Sequence, residues 1–224
     1  MHPLHVSGMR VCVGDVEGNG LLDSVTRVWC AVYIDVNSKE VFKFRPDQME
    51  EMCKFMDTCS TLIFHNGYGY DFPVFEKVLG YTYKGNRVDT LLMSRLLYPD
   101  LLPPKGVKAG PHSVEAWGAR FGRAKPEHED WSRFSEDMLH RCSEDAEIQS
   151  MLYRKRMDDA KKLGFPVNSM KLTFKLFEIL QRQEMNGWPV DIEQIDKNIS
   201  LLNHWISRIA VSYTHLTLPT NREV

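Results

Sequence analysis

A chain of 224 residues, 43% apolar and 26% charged, has the length for one sizeable domain, or one domain plus a fragment, and the composition of an ordinary globular protein. Its formal net charge of -2 excludes the global basic footprint of a tight duplex-DNA reader, and no stretch approaches the ~18 consecutive apolar residues of a membrane helix, so no membrane partner is expected. Five scattered cysteines (Cys12, Cys30, Cys53, Cys59 and Cys142), none spaced as C-x2-C, point to reduced thiols in a cytosolic compartment and to neither a disulfide framework nor a zinc site.

In chain order, Arg10 to Gly14 reads as a short buried strand ending at Asp15, Val28 to Val36 as a longer one, and Val41 to Phe44 as a third. Pro46 opens a helix whose apolar residues Met49, Met52, Phe55 and Met56 recur at helical spacing. Thr61 to Phe64 is the next strand, and His65-Asn66-Gly67 a turn. Asp71 to Leu79 reads as helix despite Pro73, which a first turn tolerates. Arg87 to Asp89 is a last strand feeding a helix from Thr90 to Tyr98, and residues 99–111 form a Pro/Gly-rich loop. Helical pattern resumes at Ser113 to Phe121 and at Ser135 to Lys162. Strands first, then strand alternating with helix, predict an α/β domain with a mixed sheet, over about residues 9–165.

From Ser169 the pattern changes to two amphipathic helices, separated at Asn186-Gly187-Trp188-Pro189, with Asp191 and Gln194 as a capping box for the second. Their apolar faces cannot both be buried against each other, so residues 169–210 are expected to begin a larger region. Residues 211–224 match neither pattern and resemble a translated sequencing adapter. They are expected to be an artefact tail, and residues 1–8 a non-native leader before Met9.

The chemistry lies in acids. Asp15 and Glu17, two apart on a strand, share a face and can reach one cation. Gly18 and Gly20 after them permit close backbone approach of a substrate. Asn66-x3-Tyr70-Asp71 puts a carboxylate at a helix start, where a plain capping role is the alternative. Asp89 is read as a strand-end cap. His140-x4-Asp145 is the third motif. At ~100° per residue, His140 lies about 140° from Asp145, so it joins the same site only if the helix breaks between them, with Ser143 as the cap. Otherwise His140 is an exposed helix residue.

The ordered set resembles the DEDD exonucleases, a ribonuclease-H-like family that includes proofreading domains. It is similar above all to the exonuclease portion of family A DNA polymerases of tailed bacteriophages. Residues 9–36, 62–71 (LIFHNGYGYD), 88–97 and 112–122 resemble successive blocks of that domain, and 181–191 (QRQEMNGWPVD) its junction with the polymerase region. The resemblance implies a ribonuclease-H-like mixed five-stranded sheet flanked by helices and followed by a helical extension. It implies a 3′–5′ exonuclease acting on single-stranded DNA 3′ ends in the infected host cytoplasm, with a polymerase domain in cis in the parent.

Residue by residue, Asp15, Glu17, Asp71 and Asp145 match the metal-binding acids, and two Mg²⁺ (or Mn²⁺) are implied. Arg141 stands where one subclass carries tyrosine, whereas the His140 spacing matches the histidine subclass. His140 is therefore the candidate general base. Gly18, Leu21, Asn66, Tyr68 and Tyr70 are the expected substrate contacts. A ribonuclease-D-like exoribonuclease and a non-catalytic nucleic-acid-binding remnant stand as alternatives.

Overall fold

The computed structural model describes residues 9–123, 128 and 130–217, with side chains not described at 214–217. The expected leader, residues 1–8, and residues 218–224 of the expected tail lie outside the described residues. The chain divides into two compact units, residues 1–182 and 183–224.

The first unit is built on a five-stranded sheet. Its strands are β1 (Arg10–Gly18), β2 (Val28–Asp35), β3 (Val41–Phe44), β4 (Cys59–Phe64) and β5 (Asn86–Asp89), in the spatial order β3-β2-β1-β4-β5. The meander β1-β2-β3 is antiparallel, and β4 and β5 are added parallel to β1, which makes the sheet mixed. Every residue of β2 is buried, as its unbroken apolar run requires of a strand covered on both faces.

The helices are α1 (Met49–Asp57), α2 (Asp71–Leu79), α3 (Thr90–Leu97), α4 (Val114–Arg120) and α5 (Glu136–Lys162). One face of the sheet forms a core with Met52 and Met56 of α1 and with Phe72, Val74 and Phe75 of α2. On the opposite face Cys30, Val32 and Ile34 pack against Met138, Leu139, Cys142 and Ala146 of α5.

Two differences from the sequence reading bear on the site. Strand β1 does not stop at Asp15: it runs on to Gly18, paired with β2 through Glu17↔Cys30. Helix α5 is also unbroken. Ser135 caps it, its side chain accepting from the Met138 N–H at 3.1 Å, whereas the Ser143 hydroxyl donates back to the Leu139 carbonyl at 2.8 Å inside the helix.

The first unit extends past residue 165 to take in most of α6 (Val167–Asn186), because Met170 is buried against Met93, Leu97 and Ala160. Leu172, Leu176, Ile179 and Leu180 of α6 remain exposed. In the second unit, α7 (Ile192–Thr217) starts at the expected cap, with the Gln194 N–H donating to Asp191 Oδ1 at 2.9 Å. It continues past Ala210 into the segment expected to be a tail, and its residues Ile199, Leu202, Trp205 and Ile209 are exposed.

Candidate active site

Strand parity places the first two acids. Cys12 and Val16 of β1 enter the core shared with α1 and α2, so Asp15 and Glu17, at the odd positions, project toward α5. Asp145 is buried on the α5 face that meets them. Asp15, Glu17 and Asp145 each offer a ligand oxygen, and these atoms lie within 4.8 Å of one another. An all-oxygen donor set of three carboxylates suits a hard divalent cation such as Mg²⁺ or Mn²⁺ better than zinc.

The same helix face adds residues that the motifs did not include. Arg141, Asp145 and Gln149 follow one another at intervals of four and line one cleft with Asp15 and Glu17. Gln149 is buried, and its Nε2 donates to Asp15 Oδ1 at 2.7 Å. The Cys142 thiol donates to the Asp15 carbonyl at 3.2 Å, tying β1 to α5 beside the acids. Arg141 Nε lies 3.7 Å from Glu17 Oε1, and its Cζ sits 5.1 Å from the centre of the Trp131 ring.

The fourth acid comes from the loop after β4. Parallel pairing brings the C-terminal ends of β1 and β4 together, which is where ligands bind in such sheets. Asp71 opens α2 there and lines the cleft at 5% exposure. Burial first, then the charges of Asp89 and Glu17, hold its carboxyl well above the usual carboxylate range, against a hydrogen bond to its own backbone that lowers it.

The loop is held by Asp89, whose carboxylate accepts from the backbone N–H groups of Asn66 (3.1 Å) and Tyr68 (3.3 Å) as well as from Leu91 and Leu92 at the start of α3. Asp89, read as a strand-end cap, thus caps the start of α3 and also clamps a loop from another strand. Asn66 sits at φ 66°, and its side chain lies so close to Gly69 that a Cβ there would be 2.7 Å from Oδ1. A side chain at 69 would displace the Asn66 amide from its place in the cleft wall.

The two tyrosines of the loop part ways. Tyr70 lines the cleft, and its hydroxyl donates to the Gly20 carbonyl at 2.7 Å. Burial, aided by Asp71, Glu17 and Asp15, pushes its phenol up to about 12, so it is a donor at neutral pH. Tyr68 instead turns into the core, its ring 5.8 Å from that of Phe72 and 6.1 Å from that of Phe174, with its hydroxyl donating to the Arg87 carbonyl. Tyr68, expected to contact a substrate, is thus a buried core residue and not among those that line the cleft.

Gly18 and Leu21 are not among the residues that line the cleft. A Cβ on Gly18 would be 3.0 Å from the Tyr70 hydroxyl, so this glycine makes room for a protein side chain, and Leu21 is 79% exposed at a turn. Asn66 does line the cleft.

His140 is not brought to the acids. With α5 continuous, it falls on the solvent side of the helix and is exposed, while Arg141, one residue on, faces the cleft. The condition set by helical geometry, a break before Asp145, is not met. His65, passed over as part of a turn, does line the cleft, with Nδ1 2.9 Å from the Thr90 hydroxyl oxygen. Val114, at the start of α4, lines it too. The spacing 141-145-149 could have disclosed Arg141 and Gln149. Nothing local to His65 or Val114 could.

No family model matches the chain. It is 26% identical, over 243 aligned positions, to the DNA-directed DNA polymerase of Escherichia phage T7 and equally to that of Enterobacteria phage T3. The match covers 83% of this chain, which spans only 34% of the length of either relative. Among solved structures, Brucella melitensis NrnC with bound Mg²⁺ superposes at a TM-score of 0.59 and 15% identity, covering 86% of this chain and 94% of that one. Escherichia coli RNase D, an exoribonuclease involved in structured RNA processing, superposes at 0.55 and 14% identity, covering 78% of this chain and 46% of that one. No described helix is long and apolar enough to cross a membrane. Over the matched stretch the chain is similar to the phage T7 and T3 DNA-directed DNA polymerases, and its mixed five-stranded sheet with flanking helices is a ribonuclease-H-like fold shared with these solved structures.

Proposed function

We propose that this chain is a metal-dependent 3′–5′ exonuclease that hydrolyses the terminal phosphodiester of single-stranded DNA, the proofreading part of a phage replicative polymerase whose polymerase domain lies elsewhere in the parent protein. The observation that carries this reading is the meeting of Asp15, Glu17 and Asp145 within ligand distance, with Asp71 in the same cleft. Four carboxylates facing one cleft are strongly self-repelling without a cation, and a phosphodiester needs its charge offset before a nucleophile can approach.

Asp15, Glu17 and Asp145 would hold one Mg²⁺ or Mn²⁺, and Asp71 together with Asp15 a second. Two such ions, when bound, supply an activated water and stabilise the leaving oxygen. The chain's own residues set the frame. Gln149 fixes the orientation of Asp15, and Asp89 holds the loop from which Asp71 and Tyr70 reach the cleft.

The base role read for His140 is not carried into this proposal, because its side chain is outside the cleft. DNA is favoured as substrate by the polymerase relatives. RNA is the second reading, favoured by the likeness to RNase D.

The test is incubation of the purified chain with 5′-labelled single-stranded DNA and, separately, single-stranded RNA, with Mg²⁺ or with chelator, beside Asp15→Ala. A ladder shortening from the 3′ end, only with metal and only in wild type, is the expected result. Metal-independent cleavage, or cleavage retained in Asp15→Ala, would remove the proposal. Cleavage of RNA alone would replace the substrate.

A further inference from the structure

Arg141 has no part in the function proposed above, yet it occupies the cleft. It stands one helical turn before Asp145, its side chain is 18% exposed, and its Nε is 3.7 Å from Glu17 Oε1. That separation is an ion-pair distance, longer than the 2.7–2.9 Å of a charge-assisted hydrogen bond. Beneath the guanidinium lies Trp131, 5.1 Å from Cζ, and the Trp131 carbonyl in turn accepts from the indole N–H of Trp29 on β2 at 3.0 Å. Trp131 is therefore tied to the sheet at its backbone and packed against the β2–α5 core, and its ring gives the guanidinium a cation–π contact.

Among the described residues lining the cleft, Arg141 is the one with a permanent positive charge; the other ionisable groups are the four acids, Tyr70 and His65. A guanidinium stays protonated at neutral pH, so it cannot accept a proton from a nucleophilic water. Its planar fork suits the paired oxygens of a phosphodiester. Were Glu17 engaged as a metal ligand, the Arg141 guanidinium would remain in the cleft wall, available to an anionic group of the substrate.

We propose that Arg141 is a substrate-binding residue that contacts the scissile phosphodiester, and that the cleft uses a fixed cation at this helical position. The proposal rests on the nuclease reading, and its test separates the two. The probe is a short 5′-fluorescein oligothymidylate, with either a normal phosphodiester or a neutral methylphosphonate as its 3′-terminal linkage. Binding is followed by anisotropy with Ca²⁺ in place of Mg²⁺, for wild type, Arg141→Gln and Arg141→Lys.

Wild type is expected to prefer the charged linkage by about tenfold, the worth of a hydrogen bond to a charged group. In Arg141→Gln the preference should shrink to about twofold, and in Arg141→Lys, which keeps the charge and loses the fork, it should be intermediate. Because each protein is compared with itself on two probes, a general loss of affinity does not imitate the effect. A preference in Arg141→Gln equal to that of wild type overturns the assignment and leaves Arg141 a counter-ion of Glu17. Should Arg141→Gln fail to fold, an undiminished preference in Arg141→Lys does the same. If wild type degrades DNA but these preferences match, only Arg141 is reassigned; if wild type shows no metal-dependent 3′ shortening, the nuclease reading itself is lost.

Discussion

Gln149 Nε2 donates to Asp15 Oδ1 at 2.7 Å, joining the longest helix of the sheet domain to its central strand at the carboxylate around which the site is built. A neutral donor there restrains one oxygen of Asp15 and leaves the acid its charge. Partners that orient metal-ligating carboxylates are commonly worth 10- to 100-fold in metal affinity or activity. Gln149→Ala is therefore expected to lower the exonuclease rate by about 10- to 100-fold at limiting Mg²⁺, with part of the loss recovered at high Mg²⁺. A Mg²⁺ titration of initial rates checks this; unchanged rates at every concentration would show that Asp15 needs no such support.

His140 and Asp145 provide a contrast on one helix. His140 is exposed, and exposed positions away from special features usually move free energies by no more than ~0.5 kcal/mol, or about twofold in rate. His140→Ala should then cleave single-stranded DNA within about twofold of wild type. Asp145→Asn, which removes a carboxylate of the three-acid cluster, should lose at least about 100-fold. A large loss in His140→Ala, measured under single-turnover conditions, would return His140 to the mechanism and require α5 to open locally.

Asp89 collects four backbone N–H groups from two segments of chain. Removing the carboxylate leaves buried donors unpaired at the start of α3 and in the loop 65–70. Asp89→Ala is expected to lower unfolding stability by roughly 2–3 kcal/mol, a lost helix cap plus unsatisfied amides. Urea denaturation reads the stability. Activity should fall as well, since the loop carries Tyr70 and leads into Asp71.

The pH dependence follows from Asp71. Burial raises its folded-state carboxyl above the unfolded value, so the native chain binds more protons than the unfolded chain between those two points. This contribution to stability is fully present below the unfolded value, near pH 4, and is lost as pH rises through the folded one. In chelator, Asp71 should therefore lower the melting temperature at pH 8 relative to pH 5. Asp71→Asn should raise the metal-free midpoint at pH 8 and narrow the gap between the two pH values. Thermal melts in EDTA test it, and a midpoint lowered at pH 8 by Asp71→Asn would contradict the sign. Added Mg²⁺ should stabilise wild type more than the variant, which keeps only the three-acid site.

How much could be read in advance depended on whether the governing physics was local. The unbroken apolar run of β2, the helical spacing in α1, the helix start at Ser135 and the cap at Asp191 are decided by neighbours in sequence, and they stood in the structure where the residues put them. The D-x-E pair likewise shares a face by the two-residue period of a strand. Side-chain direction in irregular backbone has no such period. Tyr68 and Tyr70 are two residues apart in one loop, yet one packs against Phe72 and the other reaches Gly20, because Asp89, on a different strand, sets the course of the loop.

The third motif is divided by the structure, Asp145 in the cleft and His140 outside it, for a related reason. Composition around residues 140–145 does not say whether the helix breaks, but packing of Met138, Leu139, Cys142 and Ala146 against β2 holds it continuous and fixes its rotation. That rotation turns His140 to solvent and brings Arg141, Asp145 and Gln149 to the acids. The amino-acid sequence by itself determined the element order and the sheet class, since these follow from periodicity and local caps, and the resemblance of its ordered motifs singled out the acids. Only the tertiary structure decided which neighbours share the cleft with them, because the phase of a helix against a sheet is set by burial across distant segments.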